Sequence, residues 1–125
     1  MKPVKQELHN DCVRASVASI LELPLSEVPN FADHPRGYYL ALVDWCWEQR
    51  ILLENTQPNL IPPGEFYLVW GESSPGMSHS VVYQDGKQVH NPSGAQIDPN
   101  KFLNYVRLVR LPKFHPETFQ PVSKN

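Results

Sequence analysis

The two cysteines of the chain stand in different sequence settings, and only one of them is placed for chemistry. Cys12 directly follows Asp11 at the predicted start of a helix. A thiol in the first turn of a helix lies near free N–H groups and the positive end of the helix dipole, which both stabilise the thiolate. Cys46 lies inside a second predicted helix, between Trp45 and Trp47, where a buried structural cysteine is expected. Cys12 is therefore the candidate nucleophile.

A nucleophilic thiolate needs a general base, and it needs donors for the oxyanion that forms when it attacks a carbonyl group. Gln6, six residues before Cys12, offers a side-chain amide as one donor, and the N–H of Cys12 offers another. His79 follows a segment rich in Gly, Ser and Pro and begins a predicted strand, which is a rigid and accessible place for a base. We therefore expect Gln6, Cys12 and His79 to share a site.

A predicted β-hairpin determines which residue orients His79. With a three-residue loop, Gln84–Gly86, and a left-handed Gly86, Asn91 lies opposite His79 on the same face of the sheet. The Asn91 side-chain oxygen then accepts a hydrogen bond from the imidazole ring and fixes its tautomer. A two-residue loop would turn Asn91 to the other face. Asp98, which is followed by a proline, is the second candidate for this orienting role.

The elements that must position these residues change from helical to strand periodicity along the chain. Apolar spacing predicts helices over 12–23 and 37–50, with Asn10 and Asp11 capping the first, and a short helical turn over 25–29. Alternation predicts strands over 51–54, 66–70, 79–83, 87–90 and 105–111, with loops over 57–64 and 71–78. The apolar side of the second helix should contain Tyr38, Leu42, Trp45 and Trp47. Helices followed by an antiparallel sheet indicate an α+β fold, as one domain over 1–111 with a polar tail over 112–125.

Composition narrows the class of protein. The formal net charge of the 125 residues is -2, which argues against a nucleic-acid ligand, because a phosphate backbone requires a basic face. No apolar run is long enough to span a membrane, and residues 1–7 lack the apolar core of a signal peptide. With only two cysteines, we expect free thiols in a reducing cytoplasm, and we expect no cofactor.

A metal site built from Cys12, His79 and His90 is a further interpretation of the same residues. Metal sites usually show a Cys-x-x-Cys pair or histidines at i and i+4. The sequence contains neither spacing, so we expect no metal.

The order of these motifs resembles the papain-like cysteine peptidase superfamily. It is most similar to the branch of bacteriocin-leader-processing peptidases and their small phage or bacterial relatives, and segment 23–31 is similar to the stretch that follows the nucleophile helix in those relatives. The resemblance rests on Gln6, Asp11-Cys12, His79 and Asn91-Pro92. It implies a papain-like fold with Cys12 as nucleophile, His79 as base, Asn91 as orienting residue and Gln6 as oxyanion donor. It also implies a bacterial cell or a phage-infected host.

Two functions are compatible with these residues. The first is a cysteine-dependent hydrolase (a peptidase, isopeptidase or amidase) that acts on a peptide or protein through a thioester; transfer and side-chain deamidation would use the same residues. The second is a catalytically inactive papain-like module that binds proteins and in which Cys12 is unreactive. Val13 replaces the glycine that usually follows the catalytic cysteine of leader peptidases, and Asn91 replaces their common aspartate.

Overall fold

The computed structural model describes residues 1–7, 11–33, 35, 37–74 and 77–112, and within them the fold is α+β as predicted. Helix α1 spans Cys12–Leu21 and helix α2 spans Tyr38–Glu48. The strands are β1 Ile51–Thr56, β2 Phe66–Ser74, β3 Met77–Gln84, β4 Lys87–His90 and β5 Asn104–Arg110. They form one sheet in the order β1-β5-β2-β3-β4, and each neighbouring pair is antiparallel. Short 3₁₀ turns occupy Leu25–Glu27, Phe31–Asp33 and Pro58–Leu60.

Helix α1 lies close against β3 because its inward side chains are small. Ser16 and Ala18 are fully buried, and the Ser16 hydroxyl donates to the carbonyl of Ser80 at 3.4 Å. The helix ends two residues before the predicted position, because Glu22 adopts the left-handed conformation with φ 57°. The N–H of Leu23 then donates to the carbonyl of Ala18 at 2.9 Å, which closes the helix C-terminus.

The sheet carries a separate apolar cluster on each face. The helices cover one face, where Leu68, Trp70 and Val106 pack with the apolar side chains of α1 and α2. On the other face Tyr67, Val69 and Val81 are covered in part by Ile61, Ile97 and Leu103, which come from connecting segments. Burial on both faces explains why β2 is a nearly continuous apolar run.

Helix α2 buries a different set of side chains from the one predicted. Its buried residues are Ala41, Leu42 and Cys46, which confirms the predictions for Leu42 and Cys46, and Trp45 is partly buried against the same core. Trp47 is 63% exposed and Tyr38 is 40% exposed. Helical spacing placed Tyr38 and Trp47 on the apolar side, but the helix turns Ala41 inward and leaves these two exposed.

Strands β2 and β3 are longer than the alternation predicted, so the expected loop over 71–78 is wrong for the residues that the structure describes there. Gly71 belongs to β2 and pairs with His79, which is the third residue of β3 and not the first. A side chain at position 71 would collide with Ile97 and Leu103, which explains a glycine inside this strand.

Residues 113–125, most of the predicted polar tail, lie outside the described residues. Across the segments that are described, no helix has the length and apolar character needed to cross a bilayer.

Candidate functional site

The hairpin between β3 and β4 places Asn91 beside His79, although by a different route from the one predicted. The turn has two residues, Asp85 and Gly86, both with positive φ (51° and 78°), which is the geometry of a type I′ turn. An unbroken register from that turn would send Asn91 to the opposite face from His79. The register shifts between Val82 and Tyr83, because β4 carries one extra residue, and the shift returns Asn91 to the face of His79. The predicted contact is present, with His79 Nε2 and Asn91 Oδ1 2.7 Å apart.

The hydrogen bonds of Asn91 define the tautomer of His79. The Asn91 Nδ2 group donates to the carbonyl of Ala95 at 2.6 Å, so Oδ1 is the atom that faces His79. Oδ1 also accepts from the N–H of Ser93 at 3.1 Å. Because Oδ1 can only accept, His79 Nε2 carries the hydrogen, and Nδ1 of the neutral ring is left with a free lone pair. His79 is 4% exposed, so this orientation is enforced by burial as well.

Cys12 begins α1 as predicted, and its thiol lies against the backbone of the His79 strand. It receives backbone hydrogen bonds from Ser80, Val13 and its own residue, which all favour the thiolate. Burial outweighs them, and the charge of Asp11 adds to its effect, so the pKa of the Cys12 thiol is raised. The expectation that the helix start lowers the pKa of the Cys12 thiol is therefore wrong.

Asp11 occupies the helix N-cap position, but its side chain makes no capping hydrogen bond. Its carboxylate is fully buried and forms an ion pair with Arg14, at 3.4 Å between Oδ2 and Nη1. Arg14 Nε in turn donates to the carbonyl of Val28 at 2.6 Å. The predicted cap is thus replaced by a link from the start of α1 to the following 3₁₀ turn. Asn10, the other predicted cap, lies outside the described residues.

Gln6 belongs to an N-terminal segment that bridges α1 and the end of β4. The N–H of Val4 donates to the Ser19 hydroxyl at 2.9 Å, and His90 Nε2 donates to the Val4 carbonyl at 2.7 Å. The N–H of Gln6 donates to the carbonyl of Pro92 at 3.1 Å, directly after Asn91. The structure therefore brings the backbone of Gln6 to the loop that holds His79, and the Gln6 residue is half-buried there.

Tyr38, the first residue of α2, is a part of this region that the sequence pattern did not indicate. Burial raises the pKa of its phenol, and the charge of a Cys12 thiolate adds to the effect, which places the two side chains in one electrostatic environment. The Tyr38 ring packs against Trp70, with centroids 6.4 Å apart. No signal within α2 distinguishes Tyr38 from Tyr39, because the contact depends on how α2 is placed on the sheet.

The remaining sequence candidates have other roles. Asp98 Oδ1 accepts from the N–H of Asn100 at 2.9 Å and so caps its own turn, whereas the hydrogen bond to His79 is made by Asn91. Cys46 is fully buried, and burial raises the pKa of its thiol to about 12, which agrees with the predicted structural role. Within the described part of the chain no three His, Cys, Asp or Glu side chains are grouped as a metal site would require.

Comparison of the chain with protein-family models, with curated proteins and with solved structures returned no match. The structure shows a thiol that is hydrogen-bonded by the backbone of Ser80 and, one residue earlier on the same strand, an imidazole held by an asparagine.

Proposed function

We propose that the protein is a cysteine-dependent hydrolase of papain-like fold that acts on peptide or isopeptide bonds or on another amide. The observation that carries this proposal is the hydrogen bond from His79 Nε2 to Asn91 Oδ1, on the strand whose next residue hydrogen-bonds the Cys12 thiol. This hydrogen bond satisfies the N–H of a buried imidazole, and it also fixes which ring nitrogen carries the hydrogen. In a hydrolase it keeps Nδ1 free as the base.

In the proposed reaction the Cys12 sulfur attacks the substrate carbonyl carbon while its proton passes to His79 Nδ1. The new C–S bond leaves an oxyanion that accepts hydrogen bonds from the Gln6 amide and the Cys12 N–H. The imidazolium of His79 then protonates the leaving nitrogen, the C–N bond breaks, and a thioester remains. Water, deprotonated by His79, attacks the thioester, the carboxylic acid leaves, and the proton returns to the sulfur.

The raised pKa of Cys12 determines when the proton moves. A buried thiol at neutral pH is mostly protonated, so the transfer to His79 takes place as the substrate carbonyl is attacked and not beforehand. General-base assistance of this kind contributes about 10²- to 10⁴-fold to the rate. The hydrolase therefore depends on His79 more strongly than an enzyme with a preformed thiolate would.

The raised pKa is also the one observation that favours the alternative, a papain-like module that binds proteins without turnover. In that case Cys12 is an ordinary buried thiol, and His79 and Asn91 only stabilise the hairpin. The two functions differ in whether the native chain turns over a substrate through Cys12.

A panel of capped peptides, isopeptides and glutamine-containing peptides, read by mass spectrometry, separates the two functions. We expect the native chain to hydrolyse one class, Cys12→Ala to lose this activity, and Cys46→Ala to keep it because the reactive thiol is intact. Alkylation of Cys12 by iodoacetamide should keep accelerating above pH about 8.5, the pKa of an unperturbed thiol, since burial raises the Cys12 pKa. Hydrolysis that persists in Cys12→Ala would refute the proposed function.

A further inference from the structure

Two cavities adjoin each other, and one of them lies beside the strand residues that flank His79. The first, of about 340 Å³, is lined by Tyr38, Trp70, Met77 and Phe102 among others, and we call it the Trp70 cavity. The second, of about 360 Å³, includes side-chain amides of β1 and of the segment after it, and we call it the amide cavity. Phe102 and Asn104 line both cavities, so the two form one groove with Phe102 between them.

The Trp70 cavity is the part of the groove that adjoins the candidate functional site. Tyr38 lines this cavity and also shares the electrostatic environment of the Cys12 thiol. Two other lining residues flank His79 directly: Ser78 precedes it on β3, and Gly71 is its partner on β2. The Trp70 cavity therefore lies beside the strand residues that adjoin His79.

Two large apolar side chains beside the groove are exposed to solvent. Phe102 is 80% exposed and Met77 is 55% exposed, so a peptide bound in the groove would remove apolar surface from water. Trp70 is 6% exposed, and its buried indole N–H has no acceptor among the described residues. Trp70 therefore forms the buried wall of the cavity, whereas Phe102 and Met77 are the apolar side chains that a ligand can reach.

The amide cavity complements a peptide backbone. Asn55, Gln57 and Asn104 supply both donors and acceptors, which match the N–H and C=O groups of an extended chain. Among the residues that line the two cavities, Glu72 is the one charged side chain, and it is acidic. This charge disfavours a phosphate-bearing ligand.

We propose that this groove binds an extended peptide, with a large apolar side chain of the peptide in the Trp70 cavity and its backbone over Phe102 against the amide cavity. The inference deepens the proposed function, since it assumes that the chain entering the groove is the substrate of Cys12. It predicts a peptide substrate with a bulky apolar residue next to the cleaved bond, as opposed to a small amide.

Binding to the Cys12→Ala chain tests the groove without requiring turnover. The probe is Ac-Ser-Gln-Phe-Gly-Ser-amide, and the matched probe carries Ala in place of Phe. Binding is followed by NMR through the indole N–H resonance of Trp70. We expect the Phe peptide to shift this resonance at millimolar concentration or below, and the Ala peptide to bind about tenfold or more weakly.

Two substitutions in the same background locate the binding. Phe102→Ala should weaken binding of the Phe peptide by about tenfold or more, since an exposed aromatic residue at the centre of an interface commonly contributes that much. Trp47→Ala removes an equally large exposed aromatic side chain outside the groove, on α2, and should leave the affinity unchanged. An unmoved Trp70 resonance, equal affinity of the two peptides, or equal affinity of Phe102→Ala would overturn the groove proposal. Because Cys12→Ala cannot turn over, a failure here is distinguishable from a failure of the hydrolase.

Discussion

Replacing Asn91 with alanine removes the group that orients His79, and the lost hydrogen bonds lower the free energy of unfolding. Among the described residues the Asn91 side chain makes three hydrogen bonds, to His79 at 2.7 Å, to Ala95 at 2.6 Å and to Ser93 at 3.1 Å. Leaving the His79 N–H without an acceptor in a buried position costs about 1–3 kcal/mol, and the other two bonds contribute about 0.5–1.5 kcal/mol each. We expect the free energy of unfolding to fall by about 2–4 kcal/mol, since the effects overlap.

Two assays measure this change independently of activity. Urea unfolding gives the free energy of unfolding. In a parallel thermal melt, Tm should fall by roughly 4 °C for each kcal/mol lost. Long-range ¹⁵N–¹H NMR of the imidazole gives the tautomer, and we expect Nε2–H in the native chain and a mixture of both tautomers in Asn91→Ala. Asn91→Asp keeps the acceptor for His79 and Ser93 and loses the donor to Ala95, so it should retain the tautomer and lose about 1 kcal/mol.

Asn100→Ala is the matched control, because this exposed asparagine uses its backbone N–H, and not its side chain, in the Asp98 turn. Its stability should change by less than about 0.5 kcal/mol. A native chain with the hydrogen on Nδ1, or an Asn91→Ala chain as stable as Asn100→Ala, would refute the assigned role of Asn91.

Other substitutions test the fold around the site. Gly71→Ala should destabilise the chain by about 1–3 kcal/mol, because the new methyl group has no room, whereas Gly94→Ala, where no atom lies within 4 Å, should be nearly neutral in thermal unfolding. The hydrogen bond from Arg107 lowers the pKa of Glu65. The pair should therefore stabilise the fold above about pH 4.3, the pKa of an unperturbed glutamate, and this stabilisation should be lost as the pH falls through the lowered pKa. Glu65→Gln should remove this part of the acid sensitivity, as measured by unfolding at several pH values. Cys46 should stay unreactive toward Ellman's reagent in the native chain and react once urea is added, since its pKa is about 12; rapid native labelling of Cys46 would contradict the burial.

Periodicity and turn chemistry predicted the order and type of the elements well. The first helix, the strand before the turn and the final strand follow from local patterns, because each buries one face at a regular spacing. Local patterns failed at Gly71, where a glycine in a strand is explained only by the side chains of Ile97 and Leu103 that cover it. They failed in part for α2, where helical spacing placed Tyr38 and Trp47 on the buried side and the packing of the helix leaves them exposed.

The position of Asn91 in the candidate site was predicted correctly, but the reason given for it was incorrect. Asn91 was expected beside His79 through a three-residue turn, and it lies there because a two-residue turn is followed by a bulge in β4. Both routes add one residue between the two positions, which is why the face was predicted correctly. The electrostatics of Cys12 were not predictable, because desolvation depends on the packing of α1, Tyr38 and β3, and no local signal reports it.

The most direct test of the central claim is whether Cys12 forms a thioester whose fate depends on His79. The native chain, Cys12→Ala and His79→Gln are mixed with a chromogenic peptidyl ester, quenched at intervals and weighed intact by mass spectrometry. We predict an acyl adduct on Cys12 that forms and then disappears in the native chain, none in Cys12→Ala, and both steps slowed by about 10²- to 10⁴-fold in His79→Gln. Equal rates in the native chain and His79→Gln, or an adduct that never hydrolyses, would contradict the proposal that this is a cysteine hydrolase.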